Sequence, residues 1–261
     1  MDMKVMDRGL AYGEACFETF RVIKNEVFGW PSHLHRLATG LAEFGLVLDS
    51  TQMLLIENHC LTHAATIADD VLMRLTVTGG KTSWGLSQHA AKPVCYVQTM
   101  PVQSGANQAK SMHLQGWPFP LKEKKAKFVA DYAETLRALS AESNTDVLFS
   151  HQGYLLGAAT ANVLLYHEGQ WRTPSGSGVL AGIVREFLME AGLVHGTTCP
   201  VAWLENCEAM LLSNCGVFLQ PVAELTSGSK QPWSFDPCHP AIRQLAIALA
   251  GQPGVPAKVL L

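Results

Sequence analysis

The chain is organised around the stretch Ala-Lys-Phe-Val-Ala-Asp-Tyr at residues 126–132. It places Lys127 five positions before Tyr132, and a run of helix-forming residues follows at 133–139. A lysine on a partly desolvated edge loses proton affinity and can act as an amine nucleophile. A tyrosine about one turn later could meet whatever that amine binds. The lysine-rich loop just before the stretch fits a plain solvated segment equally well, so the rest of the chain must decide.

Composition narrows the classes of protein to consider. The chain has 261 residues, of which 48% are hydrophobic and 16% charged, so one large or two small domains can bury a sizeable core. A net charge of −3 argues against nucleic acid or an anionic membrane surface as a partner. No apolar run is long enough to span a bilayer, and the start at Met1 lacks the features of a signal peptide. Seven cysteines without a Cys-x-x-Cys pair indicate reduced thiols in a cytoplasmic protein.

The first part of the chain alternates strands and helices. A hairpin is predicted over 13–30, where polar and apolar residues alternate around a Lys-Asn-Glu turn. Ser32 is the predicted cap of a helix that ends at Gly45, since apolar residues recur there at steps of three and four. A second helix is predicted from Ser50 to about Ile67, followed by strands at 71–77 and 94–99.

The best candidate for a linker falls within residues 101–110, which lack bulky residues and show no periodic spacing of apolar residues. We therefore place an N-terminal domain at 1–104, a linker at 105–110 and a C-terminal domain at 111–261. In the C-terminal domain, strands are predicted near 146–150, 153–157, 161–166, 171–174, 197–203, 209–213 and 216–221, and helices after 132, from 179 to Gly192 and from about His239. The pattern indicates an α/β (α+β) protein of two mixed domains with a cleft between them.

Four separated motifs then fall into one pattern. They are the segment Asp7–Thr19, His-Leu-His-Arg-Leu at 33–37, Leu-Ala-Gly-Ile-Val-Arg at 180–185, and Glu208–Cys215 with Gln-Pro-Val at 220–222. Their order and spacing resemble the class IV aminotransferase family, the fold type IV pyridoxal-phosphate enzymes, from Asp7 to about Leu225. The Ser-Asn form of the last motif is similar to that of aminodeoxychorismate lyases within the family.

The resemblance implies a pyridoxal 5'-phosphate (PLP) cofactor and assigns roles to individual residues. Lys127 would bond to the cofactor and shuttle a proton, with Tyr132 near the phenolic oxygen. The residues implied for the cofactor's phosphate are Arg36, Ile183, Val184, Ser213 and Asn214. An arginine can pair with a phosphate through two hydrogen bonds, and a helix N-terminus offers free backbone donors. Thr19 and Tyr12 are the candidate substrate contacts.

Two positions depart from the family pattern. The family places a glutamate five residues before the asparagine that corresponds to Asn162, where it keeps the pyridine nitrogen protonated. Gly157 occupies that cofactor-binding position here, and without a carboxylate the ring is a weaker electron sink. An ungapped alignment with the lyase form also puts Phe128, rather than Lys127, at the lysine position. The sequence alone therefore leaves open whether Lys127 or Phe128 occupies the lysine position.

The resemblance implies an enzyme with a small-molecule substrate, most similar to aminodeoxychorismate lyase, which yields 4-aminobenzoate and pyruvate on the folate route. A class IV transaminase acting on branched-chain or D-amino acids is the alternative within the family. A scaffold that no longer uses PLP is the second alternative, favoured by Gly157. A homodimer is implied by the resemblance alone. The arginines that bind substrate carboxylates in the lyases are not recognisable in this sequence. Arg74 and Lys81 lie only near the positions where they would be expected.

Two further patterns are weaker. His59 and His63 are four apart on a predicted helix, a geometry that can bind a metal, but no third ligand is near in sequence. The segment Gly79–Ser83 ends like a phosphate loop but lacks the upstream glycine, so a turn is predicted. We therefore expect no metal site.

Overall fold

The computed structural model describes residues 6–259 except 67–69, 83–84, 88–91, 103–107, 124, 142–145, 229 and 258. The chain forms two units. The first comprises residues 1–102 and 126–133, and the second comprises 103–125 and 134–261. Residues 105–107 of the predicted linker lie outside the described part, so the exact boundary stays a prediction. The stretch around Lys127 belongs to the first unit, although the residues on either side of it belong to the second.

The first unit is built on a four-stranded antiparallel sheet. The strands described in this unit are β1 (Met6–Asp7), β2 (Ala15–Ile23), β3 (Glu26–Val27), β4 (Asp70–Thr78), β5 (Lys81–Thr82) and β6 (Val94–Pro101). The sheet has the order β3-β2-β4-β6, while β1 and β5 form a separate pair. The helices are α1 (Arg8–Tyr12), α2 (Trp30–Glu43) and α3 (Ser50–Ala65).

The two faces of this sheet differ in character. Phe20 and Val22 of β2 and Met73 and Leu75 of β4 are buried in one apolar core with residues of α2 and α3. Because successive side chains of a strand point to opposite faces, Phe17, Thr19 and Arg74 belong to the other face. That face carries polar and charged groups next to an aromatic ring, so it offers side chains that can take part in chemistry.

The N-cap of helix α2 lies three residues before its predicted position. The helix α2 begins at Trp30, and its N-cap is Gly29 in a left-handed conformation with φ of 63°, so Ser32 is not the cap. Pro31 lies in the first turn, where a missing N–H costs nothing. In α3 the cap is Asp49, which forms a capping box with Gln52. The predicted end of α3 at Ile67 lies outside the described residues.

The Lys127 stretch completes the edge of this sheet. The backbone N–H of Phe17 donates to the carbonyl of Lys127 at 3.1 Å, and Cys16 pairs with Phe128 in an antiparallel bridge. A short 3-10 helix at Val129–Tyr132 then leads into α4 (Ala133–Ala141). The helix predicted after residue 132 is therefore confirmed.

The second unit is built on a nine-stranded mixed sheet. Its described strands are β7 (Lys110–Gly116), β8 (Asp146–His151), β9 (Tyr154–Ala158), β10 (Asn162–His167), β11 (Gln170–Pro174), β12 (His195–Thr197), β13 (Ala209–Asn214), β14 (Phe218–Thr226) and β15 (Trp233–Ser234). Their order is β12-β11-β10-β13-β14-β7-β8-β9, and β15 pairs with β14. The helices besides α4 are α5 (Ile183–Glu190) and α6 (Ile242–Leu249), and a 3-10 helix spans Val201–Asn206.

Most of the strands in this unit match their predictions, with one clear error. The prediction of a strand at 197–203 is wrong, because β12 ends at Thr197 and a 3-10 helix starts at Val201. Pro200 precedes that helix as its N-cap, and proline pre-sets a turn conformation. The last helix begins at Ile242, three residues after its prediction.

No helix in the described part of the chain is both long enough and apolar enough to cross a membrane.

Candidate active site

The polar face of the first unit is centred on the ring of Phe17, which is 4% exposed. The Lys127 Nζ lies 5.1 Å from the ring centroid, and the guanidinium carbon of Arg74 lies 3.7 Å from it. The ring of Tyr132 contacts the same phenylalanine, with 5.2 Å between centroids. The lysine and the tyrosine singled out from the sequence are therefore brought together on one aromatic platform.

The positions of Lys127 and Phe128 bear on the open question of register. The side chain of Phe128 is 8% exposed and lies in the apolar core, with its ring 4.8 Å from that of Phe44. Helix α2 approaches it at Gly40, where an added Cβ would lie 3.7 Å from the Phe128 ring and 3.1 Å from the Cys16 sulfur. Lys127 instead contacts Phe17 on the polar face. The contacts thus favour Lys127 over Phe128 as the position that faces a ligand.

The phenol of Tyr132 is half-buried beside the Phe17 ring. Burial raises the pKa of its phenol above the ordinary value, while the charges of Arg74 and Arg36 act in the opposite direction. A raised pKa means that the hydroxyl keeps its proton at neutral pH. Tyr132 is therefore available as a hydrogen-bond donor.

A buried carboxylate on the opposite face was missed at the sequence level. Glu18 is 1% exposed and accepts two hydrogen bonds from Arg36, at 2.8 Å from Nε and 2.7 Å from Nη2. The Nδ1 of His33 lies 2.7 Å from the same carboxylate. Burial on its own raises the pKa of Glu18, but the hydrogen bonds from Arg36 and His33 outweigh it and lower the pKa to about 2. The sequence did contain a sign of this buried carboxylate, because Glu18 is an acid among the apolar residues of that face of β2.

The Glu18 pair bears on the predicted role of Arg36. Its guanidinium is held along one edge by a buried carboxylate, which fixes the plane of the group. A fixed plane suits the recognition of a phosphate by the rest of the guanidinium, because little side-chain entropy is left to lose. Binding of phosphate by Arg36 stays a prediction.

The two candidate substrate contacts have different surroundings. Thr19 is directly opposite Arg74 in the pairing of β2 with β4, on the polar face of the sheet. The hydroxyl of Tyr12 accepts a hydrogen bond from the Gly85 N–H at 3.1 Å, and the Arg8 guanidinium lies 5.2 Å from its ring centroid. Tyr12 is thus tied to the segment after β5, and its role toward substrate stays a prediction.

In the second unit, the start of helix α5 offers an anion-binding geometry. Gly182 is the N-cap in an extended conformation, with no side chain capping the helix. The backbone N–H groups of Ile183 and Val184 have no acceptor among the described residues. An added Cβ at Gly182 would fall 1.9 Å from Oδ1 of Asn162, so only glycine fits beside that side chain. Asn162 itself donates from Nδ2 to the Leu180 carbonyl at 2.8 Å, which fixes the turn before the helix.

The predicted phosphate contacts on β13 differ from each other. Ser213 is 1% exposed, is paired with Asn162 across the sheet, and its buried hydroxyl has no hydrogen-bond partner in the described part of the chain. A buried unpartnered hydroxyl costs free energy unless a ligand satisfies it. Asn214 donates to the Thr160 carbonyl at 3.2 Å and accepts from the Gly216 and Val217 N–H groups. Its amide mainly holds turns, with one hydrogen left for a ligand.

Gly157 lies on β9 and supplies no carboxylate. An added Cβ there would meet only the Ala161 carbonyl, at 3.3 Å. That distance is shorter than an ordinary van der Waals contact, so a side chain at this position would require the Ala161 carbonyl to shift by a few tenths of an ångström.

Cysteine and histidine add no second centre in the described residues. Burial raises the pKa of the Cys16 thiol to about 12, and the charge of Glu43 acts in the same direction, so this thiol is a poor nucleophile. Cys215 is a buried free thiol. The rings of His59 and His63 are stacked with centroids 6.2 Å apart, and no group of three metal-ligating side chains occurs in the part of the chain that the structure describes.

Comparison with known proteins identifies the family of this chain. The model of the amino-transferase class IV family matches residues 15–225, most of the sequence. The chain belongs to the class IV aminotransferase family. The fold is accordingly that of the fold type IV enzymes, and the resemblance drawn from the four motifs is confirmed.

The individual relatives share less than 30% sequence identity with this chain. A Schizosaccharomyces pombe protein named "Putative aminodeoxychorismate lyase" is 28% identical over 210 residues, covering 76% of this chain and 84% of that protein. The structure of 4-amino-4-deoxychorismate lyase from Pseudomonas aeruginosa has a TM-score of 0.77 at 21% identity, over 95% of this chain and 94% of that one. The PLP-bound form of an aminotransferase from Mycobacterium tuberculosis, described as hypothetical, has a TM-score of 0.76 at 20% identity, over 93% and 89% of the two chains.

Proposed function

We propose that this protein is a PLP-dependent lyase similar to aminodeoxychorismate lyase, which releases 4-aminobenzoate and pyruvate from 4-amino-4-deoxychorismate. The observation that carries the proposal is the convergence of Lys127 and Tyr132 on the ring of Phe17, within a member of the class IV family. The lyase name of the fission yeast relative and the lyase structure from Pseudomonas aeruginosa favour this activity within the family.

The residues present fit the phosphate of the cofactor. The unpartnered Ser213 hydroxyl and the N–H groups of Ile183 and Val184 would donate to it, and the glycine at 182 keeps this helix start free of side-chain bulk. In the second unit the remaining amide hydrogen of Asn214 would supply a further donor. Arg36 of the first unit stays a predicted phosphate contact, with its guanidinium also paired to the buried Glu18 carboxylate.

The amine of Lys127 would carry the cofactor and move a proton at its Nζ. Its contact with the Phe17 ring orients the side chain away from the apolar core. The protonated phenol of Tyr132 would donate a hydrogen bond to the cofactor's phenolic oxygen, consistent with its raised pKa. Thr19 and Tyr12 would contact the substrate. When bound, PLP supplies the electron sink that weakens bonds at the amine-bearing carbon of the substrate.

Gly157 shapes which chemistry this site favours. Without a carboxylate at this position the pyridine nitrogen lacks its usual acidic partner, and the ring withdraws electrons less strongly. A lyase reaction that forms an aromatic product gains free energy from aromatisation and depends less on the ring. We therefore place the lyase ahead of the transaminase.

A class IV transaminase is the second candidate. The five-residue spacing from Lys127 to Tyr132 is the spacing of the branched-chain enzymes, and the Mycobacterium tuberculosis structure carries an aminotransferase description. A transaminase would convert its bound cofactor to the amine form when mixed with an amino acid alone, whereas the lyase would not. We also propose a homodimer acting in the cytoplasm, on the basis of the family.

Trapping the cofactor tests the assignment of Lys127. The purified protein is incubated with PLP, reduced with borohydride and digested, and the modified residue is located by mass spectrometry. We expect the label on Lys127, and we expect Lys127→Ala to lose it together with at least about a thousandfold of lyase activity. Lys125→Ala is the matched control, since Lys125 is exposed in the same loop.

Two outcomes would count against the proposal. Absence of any label on the parent protein would favour a scaffold that no longer uses PLP. A label retained in a folded Lys127→Ala variant would show that another amine carries the cofactor.

A further inference from the structure

Asn162 lies against the start of helix α5, and the proposed mechanism gives it no role. It is the first residue of β10 and is 6% exposed. Its Nδ2 donates a hydrogen bond to the Leu180 carbonyl at 2.8 Å. Its Oδ1 lies so close to Gly182 that a Cβ added there would fall 1.9 Å from it. Both ends of the amide are therefore fitted to the segment that leads into the helix.

The same asparagine also adjoins Ser213. Strand pairing places Asn162 of β10 directly opposite Ser213 of β13, and directly opposite side chains lie on the same face of a sheet. Ser213 is 1% exposed, and its hydroxyl has no hydrogen-bond partner in the part of the chain that the structure describes. One buried amide thus lies beside both the serine hydroxyl and the helix start, which together we call the anion cradle.

The donors of the anion cradle need a rigid support. The N–H groups of Ile183 and Val184 have no acceptor among the described residues, and the hydroxyl of Ser213 is in the same state. Unmet donors cost free energy, so the backbone would shift to find them partners if nothing held it. The bond from Asn162 to the Leu180 carbonyl holds the turn two residues before the N-cap. An anion then meets donors that are already oriented, and less ordering opposes its binding.

We propose that Asn162 is a positioning residue for the cofactor's phosphate, and that it sets the preference of this site for a phosphorylated ligand over the same ligand without phosphate. The amide acts through the turn at Leu180 and Gly182, and no contact between Asn162 and the phosphate is required. The inference rests on the proposed function for the identity of the ligand.

Two aldehydes that differ only in the phosphate test this role. The full-length protein, freed of bound cofactor, is titrated with PLP and with pyridoxal, and the imine absorbance gives both affinities. A change in their ratio between variants reports on the phosphate, because the ring and the aldehyde are common to both. We expect the parent to bind PLP at least about a hundredfold more tightly than pyridoxal. Asn162→Ala should lower that ratio by about tenfold and leave the pyridoxal affinity within about threefold.

Asn162→Asp keeps the shape of the side chain, so it keeps the test open should the alanine variant unfold. Its carboxylate cannot donate to the Leu180 carbonyl and adds a negative charge next to the anion cradle. We therefore expect the ratio to fall further than in Asn162→Ala. Circular dichroism confirms that each variant is folded.

Asn206→Ala is the matched control, because Asn206 is an exposed asparagine at the end of a 3-10 helix in the same unit. Its ratio should equal that of the parent. A parental ratio in a folded Asn162 variant would overturn the inference. So would an equal loss of both affinities, since that would show an asparagine that only supports the fold.

Inorganic phosphate separates this outcome from that of the proposed function. It is added alone to the full-length protein, and thermal melting measures the stabilisation. A parent without a borohydride label on Lys127 that phosphate still stabilises, and stabilises less in Asn162→Asp, would refute the PLP enzyme and retain the positioning role. A labelled parent whose ratio of PLP to pyridoxal affinity does not depend on Asn162 would do the reverse.

Discussion

The two regions proposed to hold the cofactor differ in the chemical groups that they offer, because one uses side chains and the other mainly uses the backbone. In the first unit, long side chains surround the Phe17 ring, and their charges and hydroxyls do the work. In the second unit, the start of α5 uses backbone N–H groups, one serine hydroxyl and the absence of a side chain at residue 182. The first region can be altered one functional group at a time, whereas the second is sensitive to any added bulk.

The largest effect on stability that we expect comes from Glu18, which supports Arg36. The folded pKa of about 2 lies below the unfolded value of 4.5, so its contribution is fully present above pH 4.5 and is lost as the pH falls toward 2. We predict that Glu18→Gln lowers the free energy of unfolding by about 3 kcal/mol at pH 7. Urea denaturation measures the loss, and the gap to the parent should shrink steadily below pH 4.5.

The matched control is Glu190→Gln, which removes an exposed carboxylate at the end of α5. It should change the free energy of unfolding by less than about 0.5 kcal/mol. A gap for Glu18→Gln that is the same at pH 7 and pH 3 would show that the ionised carboxylate is not what stabilises the fold.

The backbone region is tested by adding a single methyl group. In Gly182→Ala the new Cβ would lie 1.9 Å from Oδ1 of Asn162, so the Asn162 side chain must leave its bond to the Leu180 carbonyl. We predict a loss of about 2 kcal/mol in stability and weaker PLP binding, measured by urea denaturation and by fluorescence titration. Gly116→Ala is the control, because an added Cβ there meets nothing within 4 Å. Equal behaviour of the two variants would contradict the close fit at the helix start.

The smallest effect separates ligand binding from folding. Ser213→Ala removes a buried hydroxyl that has no partner in the described residues, so without PLP the variant should be as stable as the parent or up to about 1 kcal/mol more stable. PLP affinity should instead fall by about tenfold, since one hydrogen bond to a charged group is lost. Thermal melts with and without PLP measure both quantities. A variant destabilised without PLP would mean that the hydroxyl serves the fold.

The sequence predicted those parts of the fold that a simple period governs. The apolar spacing of α2 and the alternation in β2 and β4 gave elements at nearly correct bounds. The errors lie where local backbone geometry decides: Gly29 caps α2 in a left-handed conformation, and Pro200 replaces a strand by a turn and a 3-10 helix. Neither feature has a periodic signature.

The candidate site was predictable in part. Motif order pointed to Arg36 and Ser213, and the five-residue spacing to Tyr132 pointed to Lys127. Glu18 was not singled out for its role, since its importance comes from partners distant in sequence. A buried acid facing a His-x-x-Arg helix can be recognised only when the strand and the helix are packed together.

The eight residues 126–133 return to the first unit from within the second, and this has a practical consequence for dissecting the protein. A fragment of residues 1–102 alone would lack the segment that pairs with Cys16 and accepts a hydrogen bond from the Phe17 N–H. It would also lack the Phe128 ring that packs against Phe44. Its exposed strand edge would invite association with other copies. A minimal version of this unit must therefore be spliced, with 126–133 joined back by a short artificial tether.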